Sequence, residues 1–359
     1  MLSYGSGLGD RIGGSLTVFL HALLTDRAFE YVWYGQHVLW DTFQSPWIDW
    51  RAPPRNLSMG ATVPAPPGSG GAVLPMVTEN HHWRLPNRST LYADFYLEAA
   101  VAEPRAWVRD LYGSGDLMSY GDGYDVVLWT QNQGLLALAF ENPNLQKRLQ
   151  ALGLRWELAV PCLFNFLYVP SPAALSLFRR GNLLDVLLDP DNTVIGVQVR
   201  LGDWVFSSEQ EGGQSLDDAV LARGYPHFEC AQQLTDELNG VARPDEEWDG
   251  EGEEHYGAQF WDLAGWGSAD SENSPRHKQE GLHAAAGEMW LFGLAAMHVV
   301  TTNSAFARLG AVAAGPKSLY GNDTAKYRVY GIPGWRRDCR LSSPDPLEAV
   351  ASWWVGLHR

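Results

Sequence analysis

Apolar residues recur with a helical period near the start of the chain. Between positions 11 and 27 they fall on one stripe of about 3.6-residue spacing, formed by Ile12, Leu16, Phe19, Leu20, Leu23 and Leu24. A short strand and a glycine-rich turn precede this helix, and the stretch 29–33 reads as the next strand. The pattern therefore predicts a β-α-β opening, which implies a parallel sheet.

The same alternation continues along the rest of the chain. Strands are predicted at 125–130, 194–199 and 297–301, and the second of these, Val-Ile-Gly-Val-Gln-Val, has the composition of a central strand. Helices are predicted at 144–152, 172–180, 281–294, 305–314 and 346–357. Residues 215–238 form helical segments that we expect to break at Gly224-Tyr225-Pro226. Two successive α/β units joined near 180–192 account best for this order.

Two segments read as loops. Within residues 53–75 the composition shifts toward Pro, Gly, Ser and Ala, which is typical of a loop or flexible excursion. Residues 244–254 carry seven carboxylates, and a solvated acidic loop is favoured there over a metal site.

The composition is that of a folded globular protein. The chain has 359 residues, of which 45% are hydrophobic and 16 are Trp, so it is long enough for two domains. The many aromatic side chains suit buried cores and also clefts that face carbohydrate. The net charge of −16, without a dense Lys/Arg cluster, excludes nucleic acid as an expected partner but leaves room for a local phosphate pocket.

The cysteines and the apolar runs bear on the compartment. Cys162, Cys230 and Cys339 lie far apart, so they specify no metal site, and their odd number leaves at least one outside any intramolecular disulfide. No signal peptide and no run of about 18 apolar residues is present. We expect either a cytoplasmic protein or a Golgi-lumen protein whose leader and membrane anchor have been lost. Three sequons, at Asn56, Asn87 and Asn322, are compatible with the lumenal alternative.

The glycine-rich turn at 5–13 invites comparison with a dinucleotide-binding fingerprint. From Gly7 the required spacing gives Gly9 and then Ile12, with the third glycine one place late at Gly13. The acidic residue expected at the end of the next strand is also missing. An NAD-dependent oxidoreductase is therefore disfavoured.

Arg200 follows the predicted strand 194–199. Ligands bind at the carboxyl ends of strands in parallel α/β sheets, and a guanidinium group there suits bidentate contact with phosphate. A structural ion pair, for example with Asp203, is the alternative.

A Thr/Asn/Ser cluster follows the predicted strand 297–301 and opens the helix after it. Ser304 or Asn303 could simply cap that helix, but a helix amino terminus is also an anion site. Arg308, one turn further on, could face either a phosphate or solvent.

Four short segments, taken in order, resemble the fucosyltransferase superfamily. They are Gly-Leu-Gly-Asp-Arg-Ile at 7–12, Pro-Cys-Leu-Phe-Asn-Phe-Leu at 161–167, Ile-Gly-Val-Gln-Val-Arg at 195–200 and Thr-Thr-Asn-Ser-Ala-Phe at 301–306. The plant xyloglucan-type α-1,2-fucosyltransferases are the most similar branch, and the O- and α-1,6-fucosyltransferases are more distant. Residues 206–275 match no part of that pattern.

The resemblance implies an α/β protein with a GT-B fold, in which two Rossmann-like domains face a cleft. Combined with the two α/β units of the pattern, this gives an acceptor-side domain at 1–180 and a GDP-sugar domain at 181–345, and we expect a final helix at 346–359 to pack back on the first domain. The implied activity is an inverting, metal-independent transfer, with no cofactor, from GDP-β-L-fucose to an oligosaccharide or glycoprotein. A non-catalytic glycan- or nucleotide-binding protein with the same fold is the alternative.

The resemblance also assigns site residues. Arg200 would grip the donor pyrophosphate and stabilise the charge on departing GDP. Ser304 and Phe306, with Thr302 and Asn303, would lie at the phosphate and nucleoside end. The donor pocket would include His277 and Glu288, and the opposite wall of the cleft would include Gly7 and Gly9.

Asp10 departs from the family pattern, which usually has Asn at this position. A carboxylate can accept a proton where an amide cannot, so Asp10 is a candidate general base for the acceptor hydroxyl. The alternatives are a capping or first-turn carboxylate on the helix dipole, or an ion pair with Arg11 or Arg27.

Overall fold

The structure is a computed structural model that describes residues 2–3, 8–33, 39–50, 90–95, 106–131, 135–176, 178, 182–189, 191–199, 216–240, 275–301, 304–313, 328–332 and 340–343. The predicted loops at 53–75 and 244–254 and the predicted final helix lie outside these residues.

The described elements alternate between helix and strand along the chain. The strands are β1 Leu2–Ser3, β2 Val32–Trp33, β3 Phe43–Gln44, β4 Thr90–Phe95, β5 Val126–Gln131, β6 Val169–Pro170, β7 Ile195–Gln198, β8 Met297–Thr301, β9 Arg328–Ile332 and β10 Arg340–Ser343. The helices are α1 Leu8–Leu24, α2 Leu39–Thr42, α3 Ala106–Gly113, α4 Leu136–Glu141, α5 Gln146–Ala151, α6 Trp156–Leu167, α7 Pro172–Ser176, α8 Leu183–Leu188, α9 Leu216–Leu238, α10 Pro275–Gly293 and α11 Ala305–Ala313.

Eight of the ten described strands form two four-stranded sheets, and β3 pairs with β6. The first has the order β2-β1-β5-β4 and is parallel throughout, which confirms the predicted β-α-β opening. The second has the order β10-β9-β8-β7, with β7, β8 and β9 parallel and β10 antiparallel. Parallel neighbours need crossover connections, which the intervening helices supply.

Helix α1 is buried on nearly all sides. It begins at Leu8, before the apolar stripe, and its buried residues include Gly9, Gly13 and Gly14. Glycine weakens an isolated helix, so the surrounding core must stabilise this one. The glycines also allow neighbouring backbone to approach, which positions the candidate site described below.

The main core joins the two halves of the sequence. Ile12 and Phe164 from the first half share one buried cluster with Met289 and Val312 from the second. Helices α10 and α11 directly precede and follow β8 in the sequence. Both therefore pack into the core around α1. Three smaller clusters lie around β7, β8 and α8.

Two of the differences from the sequence prediction involve prolines inside helices. Helix α9 runs unbroken through Pro226, because side chains beyond the proline, such as Cys230 and Leu234, are anchored in the core beside β8. The predicted break at Gly224-Tyr225-Pro226 is therefore wrong. Helix α6 was not predicted, and it contains Pro161 as an internal residue.

The cysteines agree with the expectation from their odd number. Cys162 is an exposed free thiol, whereas Cys230 is disulfide-bonded. Within the described part of the chain, no helix has both the length and the apolar character needed to cross a membrane.

Candidate functional site

The amino ends of α1 and α11 are in direct contact. A Cβ atom added to Gly9 would lie 2.5 Å from the Phe306 backbone nitrogen and 2.7 Å from the Ala305 carbonyl carbon. Such distances are shorter than real Cβ contacts, so only glycine permits this approach of backbone to backbone. We call the contact of Gly9 with Ala305 and Phe306 the helix junction.

The helix junction lies on the side of the carboxyl ends of β1 and β8, one strand from each four-stranded sheet. Helix α1 follows β1, and α11 follows β8, so both helices begin on the side of the carboxyl ends of their strands. In open α/β sheets this is the side on which ligands bind. Helix amino ends also attract anions, because their N–H groups and dipoles point toward the same space.

Ser304 caps α11 at the helix junction. Its side chain is fully buried, and its Oγ accepts a hydrogen bond of 3.2 Å from the backbone N–H of Ala307. The backbone N–H of Ser304 donates to the Thr301 carbonyl at 2.9 Å. The capping alternative given by the sequence is therefore the observed role of the Ser304 hydroxyl.

Asp10 lies in the first turn of α1, next to Gly9, and is partly exposed. The location agrees with the first-turn alternative, since a carboxylate there is stabilised by the helix dipole. It also leaves Asp10 beside the helix junction, so its role as a base stays a prediction.

His227 is a buried residue of the site that the sequence did not indicate. Its Nε2 lies 3.1 Å from the hydroxyl of Thr301, at the end of β8, and the ring is 2% exposed. The contact joins residues that are 74 positions apart, and His227 lies in the region that resembles no family segment. No spacing or motif in the sequence could have pointed to it.

Two buried acceptor atoms lie on β7 and α9, which belong to or pack on the second sheet. Among the described residues, Gln198 Oε1 and Glu229 Oε2 are buried and make no hydrogen bond. Gln198 is the last residue of β7 and pairs with Val300 of β8, and Glu229 lies two residues after His227 on α9. A buried acceptor without a partner is costly, so a ligand with N–H or O–H donors would gain by pairing with it.

His277 and Glu288 are separated on α10. His277 lies in the first turn, and the rise of an α-helix places Glu288 about 16 Å further along the axis. Glu288 is largely buried, and this burial raises the pKa of its carboxyl to about 7. Its neighbour Met289 packs against Gly310, so this part of α10 contacts α11, whereas His277 lies near the other end of α10.

The other end of α11 is held by α6. The side-chain amide of Asn165 donates to the Ala313 carbonyl at 2.6 Å and to the Pro161 carbonyl at 2.8 Å. Asn165 belongs to the segment 161–167 that carries part of the family resemblance. Its observed contact is a support for α11 rather than a place in the site.

The structure thus joins part of the predicted site. Gly9, Ser304 and Phe306 meet at the helix junction with Asp10 beside them, and Glu288 lies on α10, which packs against α11. Gly7, Arg200, Thr302 and Asn303 lie outside the described residues, although Arg200 follows the end of β7 by only two positions.

The chain has a structural similarity to a known protein. It matches a solved structure of an arginine-to-lysine mutant of Arabidopsis thaliana FUT1 in complex with GDP, with a TM-score of 0.53 and 15% sequence identity. The match covers 92% of this chain and 69% of the other. No protein-family model matches the sequence, and no curated protein matches it. The similarity shows a fucosyltransferase-like GT-B fold.

Proposed function

We propose that the protein is an inverting, metal-independent glycosyltransferase that moves L-fucose from a GDP-sugar to a hydroxyl group of a glycan. The observation that carries the proposal is the helix junction, in which Gly9 packs on Ala305 and Phe306. Two segments from opposite ends of the sequence meet there, on the ligand-binding side of two parallel strands. The similarity in fold to FUT1 supports the same assignment.

The donor binds on the α11 side of the helix junction. The diphosphate of GDP lies near the amino end of α11, where the helix dipole and the backbone N–H groups favour an anion. Arg200 binds the same diphosphate and stabilises the charge that grows on GDP as the bond to the sugar breaks. Gln198, two positions before Arg200, accepts a hydrogen bond from an N–H or O–H group of the nucleoside.

The acceptor binds on the α1 side. Its hydroxyl oxygen attacks the anomeric carbon from the face opposite to the departing GDP, which inverts the configuration at that carbon. Asp10 accepts the hydroxyl proton as the new bond forms. Burial raises the pKa of Glu288 to about 7, so its carboxyl is partly protonated near neutral pH.

Nucleotide binding tests the donor assignment. We expect GDP to raise the melting temperature and to bind in a calorimetric titration, with no comparable response to UDP or NAD. Arg200→Ala should abolish the response to GDP, while Arg200→Lys keeps the charge and loses the bidentate contact, so it should fall between the two. Stabilisation by NAD or UDP alone would overturn the proposal.

Turnover tests the enzymatic assignment. GDP release from GDP-fucose, compared with GDP-mannose and UDP-sugars over a panel of glycans, should be specific for GDP-fucose. GDP binding without release from any donor would favour the non-catalytic alternative. Asp10→Asn should retain GDP affinity and lose transfer; unchanged turnover by this variant would exclude Asp10 as the base.

A further inference from the structure

A second concave site lies on the first half of the chain. It is a pocket of about 410 Å³ bounded by the segment from α2 to Trp50. Its walls combine four aromatic side chains, those of Trp40, Phe43, Trp47 and Trp50, with polar groups that include Gln44 and Asp49. This volume is within the range of small-molecule sites. We call it the Trp47 pocket.

Trp47 is the most exposed aromatic side chain of the pocket. Its ring has 69% of its surface exposed, yet it is stacked on Phe166 with a centroid distance of 6.3 Å and an angle of 16° between the planes. Phe166 in turn stacks on Phe19 of α1. The exposed indole is therefore supported from beneath by the protein core.

Ser45 fixes the backbone that carries this ring. Its hydroxyl donates to the Phe166 carbonyl at 2.6 Å and accepts from the backbone N–H groups of Trp47 and Ile48, both at 3.2 Å. The backbone and the ring of Trp47 are thus both tied to Phe166. A ring that is held in place before binding loses little conformational entropy when a ligand covers it.

We propose that the Trp47 pocket binds a neutral sugar ring of an oligosaccharide. The indole offers a flat apolar face to the C–H groups of a pyranose. The Asp49 carboxylate and the Gln44 amide, both exposed at the rim, are suited to hydrogen bonds with sugar hydroxyls. The carboxylate and the net charge of −16 disfavour an anionic glycan, so the ligand class is neutral.

The pocket and the acceptor side of the helix junction are linked through the protein core, since Trp50 and Tyr31 are both buried. Trp50 lies against Tyr31, with ring centroids 6.0 Å apart, and the Tyr31 hydroxyl donates to the Arg11 carbonyl of α1 at 3.5 Å. Arg11 follows Asp10 directly. Resting on the proposed function, the inference extends to the substrate: the acceptor is an oligosaccharide with one ring in the Trp47 pocket and its reacting hydroxyl near Asp10.

Binding to a glycan array, without nucleotide, tests the pocket. The probes are neutral oligosaccharides and carboxylated or sulfated ones, applied to the native protein, Trp47→Ala, Trp47→Phe and Tyr124→Ala. We expect the native protein to bind neutral probes, Trp47→Ala to bind them about tenfold more weakly, and Trp47→Phe to lie between. Tyr124 is 41% exposed at a distant position, so Tyr124→Ala should match the native protein.

Parallel GDP titrations separate this inference from the proposed function. Intact GDP binding with no neutral glycan bound, or with binding that is indifferent to Trp47→Ala, overturns the pocket and leaves the donor assignment standing. Trp47-dependent glycan binding without any GDP affinity supports the pocket and overturns the donor assignment. Binding of anionic probes alone also overturns the pocket.

Discussion

The two ends of α11 are held in opposite ways. The amino end is held by the absence of a side chain, since Gly9 lets the backbone of α1 approach Ala305 and Phe306 directly. The carboxyl end is held by the presence of one, since the Asn165 amide donates to the Ala313 carbonyl. At the amino end of α11, the amino ends of two helices therefore lie close together. At its carboxyl end, the Ala313 carbonyl is already occupied by a hydrogen bond from the protein.

The difference separates a site from its support. Both ends carry residues from segments that resemble the fucosyltransferases, so family resemblance alone does not distinguish them. The amino end lies on the ligand-binding side of β8, whereas the carboxyl end lies one helix length away, packed on α6. Changes at the amino end should therefore alter both stability and GDP affinity, and changes at the carboxyl end should alter stability alone.

Gly9→Ala should have the largest effect. The added methyl group would meet the Phe306 backbone at 2.5 Å, and a backbone cannot rotate away as a side chain can. We expect the free energy of unfolding to fall by about 3 kcal/mol, with loss of GDP affinity. Urea unfolding and calorimetric titration would measure the two effects.

Gly113→Ala is the matched control for this change. Gly113 lies at the end of α3, and a Cβ added there would have no atom within 4 Å. Its free energy of unfolding should change by less than about 1 kcal/mol and its GDP affinity should be unchanged. Equal behaviour of the two variants would contradict the close approach at the helix junction.

Acid should lower the free energy of unfolding through two histidines, one on α1 and one on β8. His21 of α1 and His298 of β8 are buried, which lowers the pKa of each imidazole from 6.5 to about 4. Below pH 6.5 each of these histidines takes up a proton in the unfolded chain but not in the folded protein. Each therefore lowers the free energy of unfolding by up to about 1.4 kcal/mol per pH unit, down to its folded pKa. The raised pKa of Glu288 acts in the opposite direction between 4.5 and about 7, because there the folded carboxyl holds a proton that the unfolded one has lost.

The variant His21→Gln separates the contribution of His21 from those of His298 and Glu288. His21→Gln cannot titrate, so between about pH 6.5 and 5.5 its free energy of unfolding should fall by about 1 kcal/mol less than that of the native protein. Urea unfolding at both pH values gives the two slopes. Parallel slopes would show that the His21 imidazole protonates equally well in the folded state.

The periodic pattern predicted the elements at the amino end well. Strand β8 has the predicted bounds, 297–301, and β7 and α11 are each shorter than predicted by at most one residue at either end. Apolar runs bounded by polar or glycine-rich turns are local signals, which a few neighbouring residues are enough to give. Here the sequence carries enough information by itself.

The pattern of apolar and polar residues could not predict contacts between segments that are far apart in the sequence. The pairing of His227 with Thr301 depends on α9 continuing through Pro226, where local propensity indicates a break. Helix α6 was hidden by Pro161 for the same reason, and with it the role of Asn165. Tertiary packing outweighs propensity at both prolines, and no single-sequence signal reports packing.

Asn165→Leu should test the carboxyl end. The change keeps the size of the side chain but removes both donated hydrogen bonds, so the Ala313 and Pro161 carbonyls lose this partner. We expect a loss of about 2 kcal/mol in the free energy of unfolding, with GDP affinity within about twofold of the native value. Asn144→Leu is the control, because the Asn144 amide also donates to a backbone carbonyl, that of Ser114 at 2.8 Å, but is exposed; it should lose less. A large loss of GDP affinity in Asn165→Leu would remove the distinction between the two ends.

Ser304→Ala should have the smallest effect on stability and sharpens the comparison most. The chain contains a second cap of the same geometry: Ser171 Oγ accepts from the Ala174 N–H at 3.2 Å, as Ser304 Oγ does from Ala307, and both serines are buried. Each alanine variant should lose about 1 kcal/mol of stability. Only Ser304 lies at the helix junction, so only its variant should weaken GDP binding, measured by titration at a temperature where both variants are folded. If Ser171→Ala weakens GDP binding equally, loss of stability explains the effect, and the amino end of α11 has no special role in holding the donor.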